Sequence, residues 1–174
     1  MSSGQPALQQ VQLRNVVVDI SAFGISNDHN DVIITYSLGS CLGLTIYDPV
    51  ARVAGLVHCM LPLAKIDRQK AAAKPGMFVE TGVPALLDAA FKLGATRKNL
   101  VLKATGCGRP MDDKGFFKIG ERNHIVLRKL LWKNNLLLAA EHVGGKMSRT
   151  VSISVATGEV TVRVGGPRGE VVLL

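Results

Sequence analysis

Two short apolar runs separated by a tight turn constrain the fold of this chain more than any other feature. Residues 42–48 alternate in hydropathy and include β-branched and aromatic side chains, which is typical of a β-strand. A second apolar run covers residues 53–61. Between the runs, Pro49 presets φ and Asp48 can accept hydrogen bonds from the turn backbone. We therefore predict a β-hairpin in which Asp48 pairs with Val53.

This register decides which side chains share a face of the hairpin. It places His58 opposite Gly43 and Met60 opposite Cys41. Because side chains alternate between faces with period two, these four lie on one face and Cys59 lies on the other. Cys41 and His58 become diagonal neighbours, roughly 7–8 Å apart at the backbone and within reach of longer side chains. Gly43, without a side chain, leaves the imidazole room to lean toward the sulfur.

A cysteine beside a histidine indicates a thiol-based hydrolase site. A free thiol has a pKa of about 8.5 and is a weak nucleophile at neutral pH, but a neighbouring imidazole can take its proton. Cys41 follows Gly39 and Ser40 in a tight bend. The backbone N–H groups of Ser40 and Cys41 can bind the oxyanion that develops during attack on a carbonyl. We predict Cys41 as nucleophile and His58 as base.

A third residue usually orients the histidine in such a site. Thr35 is the candidate, because it precedes the bend on an apolar strand and its hydroxyl can donate or accept a hydrogen bond. Ser37, Ser40 and Glu80 are weaker candidates for the same role.

Two other interpretations of these residues stay open at this point. A single buried cysteine most often packs as a small hydrophobe, and a single histidine on a strand is most often a satisfied core or surface residue. A zinc site from Cys41, His58 and Cys59 is disfavoured, because strand neighbours point apart and no paired ligand spacing is present. The adjacent Asp112 and Asp113 are typical of a solvated turn. We predict no metal and no cofactor.

Bulk composition limits the class of protein. The 174 residues predict a single domain over residues 13–174, after a mobile tail over residues 1–12. No apolar run of about 18 residues and no secretory signal is present, so we expect no membrane insertion. An odd number of cysteines without a signal favours the cytoplasm. The net charge of +8 suggests an acidic partner. Nucleic acid is the alternative, but aromatic residues are few and the basic residues are dispersed, so we predict no nucleic-acid partner.

The order of predicted elements favours an α+β fold, a layered sandwich with mixed or antiparallel sheets. Strands outnumber helices, and most strands are linked as hairpins. Helices are predicted over residues 78–93 and 119–134, and polar or basic loops over residues 21–30 and 65–76. The remaining predicted strands cover residues 16–20, 32–36, 100–105, 135–143, 151–156 and 160–164.

Several segments form a recognisable series along the chain. They are Thr35, the Gly39-Ser40-Cys41 bend, residues 42–49 ending in Asp-Pro, residues 58–62 (His-Cys-Met-Leu-Pro), the Ile119-Gly120-Glu121-Arg122-Asn123 segment, residues 141–149, and residues 156–160. Taken in this order, they resemble the chemoreceptor glutamine deamidase family, CheD. The resemblance covers residues 16–164, nearly the whole chain. Residues 106–108 and 78–80 depart from the family pattern, which usually has Gly-Gly-Ala and Tyr-x-Asp there.

The resemblance implies a fold and a reaction. It implies the α/β/β layered fold of Cys–His deamidases, with Cys41 as nucleophile, His58 as base and Thr35 as the residue that supports the histidine. The implied activity is a protein-glutamine deamidase, an amidohydrolase of chemotaxis that converts receptor glutamine to glutamate and releases ammonia. The implied partners are chemoreceptors and a CheC-type phosphatase. The alternative is a non-catalytic binding module that regulates this phosphatase.

Overall fold

The chain folds into three layers, two β-sheets and a layer of helices. The computed structural model describes residues 12–110 and 117–174. The strands are β1 (Arg14–Val17), β2 (Phe23–Ser26), β3 (Asp31–Leu38), β4 (Leu42–Asp48), β5 (Val53–Cys59), β6 (Val101–Gly106), β7 (Leu138–Val143), β8 (Arg149–Ser154), β9 (Val160–Val164) and β10 (Glu170–Leu173). The helices are α1 (Arg68–Ala73), α2 (Val79–Lys92) and α3 (Ile119–Lys133), with short 3-10 turns at Ala64–Ile66, Pro75–Met77 and Arg97–Asn99.

Each sheet has five strands and mixed direction. We call the sheet with strand order β1-β3-β8-β9-β10 the outer sheet, and the sheet with order β2-β5-β4-β6-β7 the central sheet. In each sheet one pair at an edge is parallel, β1 with β3 and β6 with β7, and the other pairs are antiparallel. The predicted α+β sandwich with mixed sheets is confirmed.

The central sheet is buried on both faces, and its two faces belong to different cores. Every residue of β4 and β5 is buried, because helices cover one face and the outer sheet covers the other. The helix-side cluster includes Leu42, Val57, Cys59, Leu86 and Leu127. The inter-sheet cluster includes Ile33, Leu38, Tyr47, Leu56 and Val151.

The predicted hairpin register is confirmed. Asp48 pairs with Val53, and His58 pairs with Gly43. The ladder ends one pair before the predicted Cys41–Met60 pair, because the Met60 N–H leaves β4 and donates to the Met77 carbonyl at 2.9 Å.

Asp48 organises the hairpin turn as its sequence position predicts. Its Oδ1 accepts the N–H groups of Val50 at 2.8 Å and Ala51 at 2.9 Å. Its Oδ2 accepts the Thr96 N–H at 2.8 Å. Burial raises the pKa of the Asp48 carboxyl, but these backbone donors outweigh burial and hold its pKa below the usual value.

Three elements lie where loops or tails were expected. The predicted polar loop 21–30 contains β2, an edge strand whose Phe23 pairs with Val57. The predicted loop 65–76 contains α1, which Asp67 caps by accepting the Lys70 N–H at 3.0 Å. The C-terminal tail contains β10, which pairs with β9. Residues 1–11 of the predicted mobile tail, and Asp112 and Asp113, lie outside the described residues.

Candidate active site

A buried threonine and a buried histidine meet between the two sheets. Thr35 lies on β3 of the outer sheet and His58 on β5 of the central sheet, and both are fully buried. Thr35 Oγ1 lies 2.8 Å from His58 Nδ1. The β1–β2 connection holds both residues, since Val18 O accepts from Thr35 Oγ1 at 2.6 Å and Ala22 O accepts from the His58 N–H at 3.0 Å.

These hydrogen bonds determine the tautomer of His58. A hydroxyl carries one proton, and the Val18 carbonyl can only accept, so the Thr35 proton is used on Val18. The Thr35 oxygen must then accept from His58 Nδ1, which therefore carries the imidazole proton. His58 Nε2 therefore carries no proton and keeps a free lone pair. A general base needs such a lone pair to accept a proton.

The environment keeps this lone pair available. Burial lowers the pKa of His58 to about 4, so the ring is neutral at neutral pH. Among the described residues, His58 Nε2 is one of two buried side-chain atoms without a hydrogen-bond partner. A buried acceptor without a partner is unfavourable unless it has a use. The geometry thus provides an imidazole that is able to take a proton.

Cys41 lies at the end of the bend that precedes β4. It is half-buried and packs against the inter-sheet cluster, on the side of the central sheet that carries His58. Burial raises the pKa of the Cys41 thiol, and its own backbone N–H partly opposes this by stabilising the thiolate. Thiol and imidazole are therefore both neutral at rest, so a reaction at the sulfur would require the thiol to lose its proton.

The segment after β6 holds the bend in place through the backbone. The Gly108 N–H donates to Gly39 O, and the Cys107 N–H donates to Cys41 O, each at 2.8 Å. Gly106 makes this approach possible: it has a φ of +87°, and a Cβ there would lie 2.3 Å from Cys41 O. The segment that follows β6 thus begins as a support for the bend.

The space beside Gly43 is filled differently from our expectation. The atoms nearest to a Cβ added at Gly43 are Leu38 Cδ1, at 2.6 Å, and Thr105 Oγ1, at 2.7 Å. Leu38, which ends β3, occupies the space that was expected to admit the imidazole.

The weaker candidates for orienting His58 are engaged elsewhere. Glu80 Oε2 accepts the Ala64 N–H at 2.8 Å and so supports a turn after β5. Ser37 is exposed, with a φ of +58°. Thr35 remains the residue that contacts the imidazole.

The other two cysteines are buried free thiols. Cys59 lies in the helix-side cluster, on the predicted face opposite His58, and a Cβ on Gly82 would lie 2.9 Å from its sulfur. Burial raises the pKa of Cys59 strongly and that of Cys107 to about 12. Within residues 12–110 and 117–174, no three His, Cys, Asp or Glu side chains form a group able to hold a metal ion.

Asn123 contacts residues of the candidate site, although its sequence motif indicates no role for it. It is fully buried on α3, and its Nδ2 donates to Ser40 O at 3.1 Å and to Met60 O at 3.3 Å. The available signal was its place in the buried stripe of α3, where Gly120, Leu127 and Leu131 are its neighbours. An amide on an otherwise apolar stripe indicates a specific polar partner.

Two cavities open near these segments. A cavity of about 230 Å³ includes Ser40 in its wall, together with Gly108, Pro110, Phe117 and Ile119. A larger cavity of about 500 Å³ is lined by residues that include Cys107, Arg109, His124 and Lys146, and it contains none of Thr35, Ser40, Cys41 and His58. The smaller cavity is the one that reaches the bend. In the part of the chain that the structure describes, no helix is long and apolar enough to cross a membrane.

The chain is similar to known proteins over most of its length. A family model described as CheD chemotactic sensory transduction matches residues 60–164. A probable chemoreceptor glutamine deamidase CheD 1 of Syntrophus aciditrophicus is 45% identical over 90% of this chain and 98% of its own. A probable chemoreceptor glutamine deamidase CheD of Solibacter usitatus is 39% identical over 92% of this chain and 95% of its own. Among solved structures, the Bacillus licheniformis hypothetical protein YfiH matches with a TM-score of 0.43 and 15% identity, over 70% of this chain and 49% of that one. By the family match and these relatives, this chain belongs to the CheD family.

Proposed function

We propose that this chain is a protein-glutamine deamidase that hydrolyses glutamine side-chain amides of chemoreceptors in chemotaxis. The observation that carries this proposal is the free lone pair of His58 Nε2, buried and directed by the Thr35 hydrogen bond, on the face that carries Cys41. The names of the CheD relatives supply the substrate class.

The first half of the reaction forms a thioester. His58 Nε2 takes the Cys41 thiol proton as the sulfur attacks the carboxamide carbon of glutamine. The backbone N–H groups of Ser40 and Cys41 bind the oxyanion. His58 then gives its proton to the amide nitrogen, and the C–N bond breaks to release ammonia. Thr35 accepts from Nδ1 throughout and stabilises the transient imidazolium.

The second half hydrolyses the thioester. His58 Nε2 takes a proton from water, and the resulting hydroxide adds to the thioester carbon. The C–S bond breaks, the proton returns to the sulfur, and glutamate is the product. No step needs a metal or a cofactor. We propose the cavity beside Ser40 as the entry for the glutamine side chain, because Ser40, the chain neighbour of Cys41, lies in its wall.

A mass assay tests this proposal. Purified protein is mixed with a receptor cytoplasmic fragment, and the fragment gains the mass difference between NH2 and OH for each converted glutamine. Cys41→Ala and His58→Ala should each abolish conversion, whereas Cys59→Ala, one residue away on the opposite face, should retain it. If the wild-type protein converted no glutamine, the proposed deamidase activity would be wrong.

We also propose a CheC-type phosphatase as a partner and the cytoplasm as the working compartment. The first follows from the resemblance to the family, and the second is supported by three free thiols, which a reducing compartment preserves. Co-purification with the phosphatase tests the proposed partner, and cell fractionation tests the proposed compartment. Tight phosphatase binding by a wild-type protein that converts no glutamine would favour the binding module over the enzyme.

A further inference from the structure

We infer that Asn123 is a positioning residue that turns the Cys41 N–H toward the reacting carbonyl by holding the Ser40 carbonyl. The inference rests on the proposed function and assigns to α3 a role in building the oxyanion site. It starts from two hydrogen bonds of one buried side chain, from Asn123 Nδ2 to Ser40 O at 3.1 Å and to Met60 O at 3.3 Å.

The first step is the geometry of the peptide bond. In a planar trans peptide the C=O of one residue and the N–H of the next point in opposite directions. A donor that holds the Ser40 carbonyl therefore sets the direction of the Cys41 N–H. In the same way, the Gly108 N–H on Gly39 O sets the direction of the Ser40 N–H. The two amides assigned to the oxyanion are thus each oriented from behind by a different element.

The second step is that these amides are available. Among the described residues, neither the Ser40 N–H nor the Cys41 N–H donates to another backbone group outside the strands, and neither donates to the side chain of another residue. The Cys41 N–H interacts with its own sulfur and lowers the pKa of the thiol against the opposing effect of burial. This amide therefore faces the side on which the sulfur attacks.

The third step is that Asn123 links the two halves of the site. Met60 lies two residues after His58, so one carboxamide joins the bend of Cys41 to the end of the strand of His58. The side chain of Asn123 can reach the Ser40 carbonyl because the start of α3 lies close to the backbone of Cys107 and Gly108. A Cβ on Gly120 would lie 2.4 Å from the carbonyl oxygens of Cys107 and Gly108, so only glycine lets the helix start this close.

An apolar residue at position 123 would leave the Ser40 and Met60 carbonyls without the donor that Asn123 supplies. The carboxamide is present although its remaining polar atom, Oδ1, is the second buried atom that lacks a partner among the described residues. A purely structural role and a role in orienting the Ser40–Cys41 peptide both use these two hydrogen bonds, and the effects on kcat and on Cys41 alkylation separate the two roles.

The test compares Asn123→Ala with Leu127→Ala, a buried residue one turn further along α3 that packs in the helix-side cluster. Two quantities are measured: the steady-state constants for deamidation, and the pH dependence of Cys41 alkylation by iodoacetamide. Asn123→Ala should lower kcat by roughly 10- to 100-fold with little change in KM, because an oxyanion donor acts in the transition state. It should also move the alkylation midpoint of Cys41 to higher pH. Leu127→Ala should do neither.

Two further variants keep the test decisive if Asn123→Ala does not fold. Asn123→Ser retains one donor and should give a smaller loss of kcat. Gly120→Ala leaves Asn123 in place but forces α3 away from the bend, and should resemble Asn123→Ala. Wild-type kcat and an unmoved midpoint in the folded variants would overturn the inference. Because alkylation needs no receptor, failure of deamidation by the wild-type protein would refute the proposed function while the alkylation result still decides the role of Asn123.

Discussion

His58 and Cys59 are neighbours in the chain, both fully buried, and they belong to opposite kinds of environment. His58 faces the space between the sheets, where Thr35 holds its Nδ1 and its Nε2 has no partner among the described residues. Cys59 faces the helices, inside an apolar cluster, where burial keeps its thiol protonated. Burial alone therefore does not define the environment of a side chain on this sheet. The face of the central sheet decides whether a buried group lies at the proposed site or in a packed core.

Thiol reactivity should show the greatest contrast between the two faces. At about pH 8, Cys41 should react with iodoacetamide at least 100-fold faster than Cys59 and Cys107, because access and thiolate fraction control the rate. Peptide mass mapping over time measures the three rates. In urea-unfolded protein the three cysteines should react at similar rates. Faster labelling of Cys59 in the folded protein would contradict the assignment of faces.

The next effect is on acid stability. The pKa of His58 is near 6.5 in the unfolded chain, whereas burial lowers its pKa to about 4 in the folded protein. Between these values the unfolded state binds more protons, so the free energy of unfolding should fall as the pH falls through this window, by about 3 kcal/mol in total. Urea unfolding at several pH values measures it. His58→Gln should flatten this part of the curve, and an unchanged slope in that variant would contradict the assignment.

A smaller effect concerns the residue that orients His58. Thr35→Val keeps the shape of the side chain but removes the oxygen that accepts from Nδ1. The imidazole then loses its preferred tautomer, and kcat should fall roughly 10-fold, less than for either Cys41→Ala or His58→Ala. Thr35→Ser, which keeps the hydroxyl, is the matched control and should stay near the wild-type rate. A loss from Thr35→Val as large as that from His58→Ala would show that Thr35 does more than orient.

The smallest effect is expected on the helix side of the sheet. Cys59→Ala should cost about 1–2 kcal/mol of stability, because it removes a buried atom that packs against Gly82. Its kcat should not change, since the sulfur faces away from the site. Thermal unfolding and the deamidation assay, run side by side, check both parts. A strong loss of kcat in a folded Cys59→Ala protein would erase the distinction between the two faces.

The local parts of the site were predictable because they depend on strand parity. Pairing of Asp48 with Val53 follows from the turn, and that pairing places His58 and Cys59 on opposite faces. The resemblance to the family added the role expected of Thr35. The short edge strands β2 and β10 were missed, because a four-residue strand has too few positions to show a period. The basic, Ala-rich sequence of helix α1 predicts a loop, although Asp67 supplies a cap for a helix there.

The hairpin, its register, the common face of Cys41 and His58, and a layered α+β class could all be deduced from the sequence. These features come from alternation and turn chemistry between residues close in the chain. The tautomer of His58 could be assigned only from the folded chain, because it depends on Val18, Thr35 and His58 meeting across two sheets. The packing of the layers also brings Asn123 to the Ser40 carbonyl, 83 residues away in the chain. Contacts at such separation are set by how the layers pack, and no local pattern in the chain encodes them.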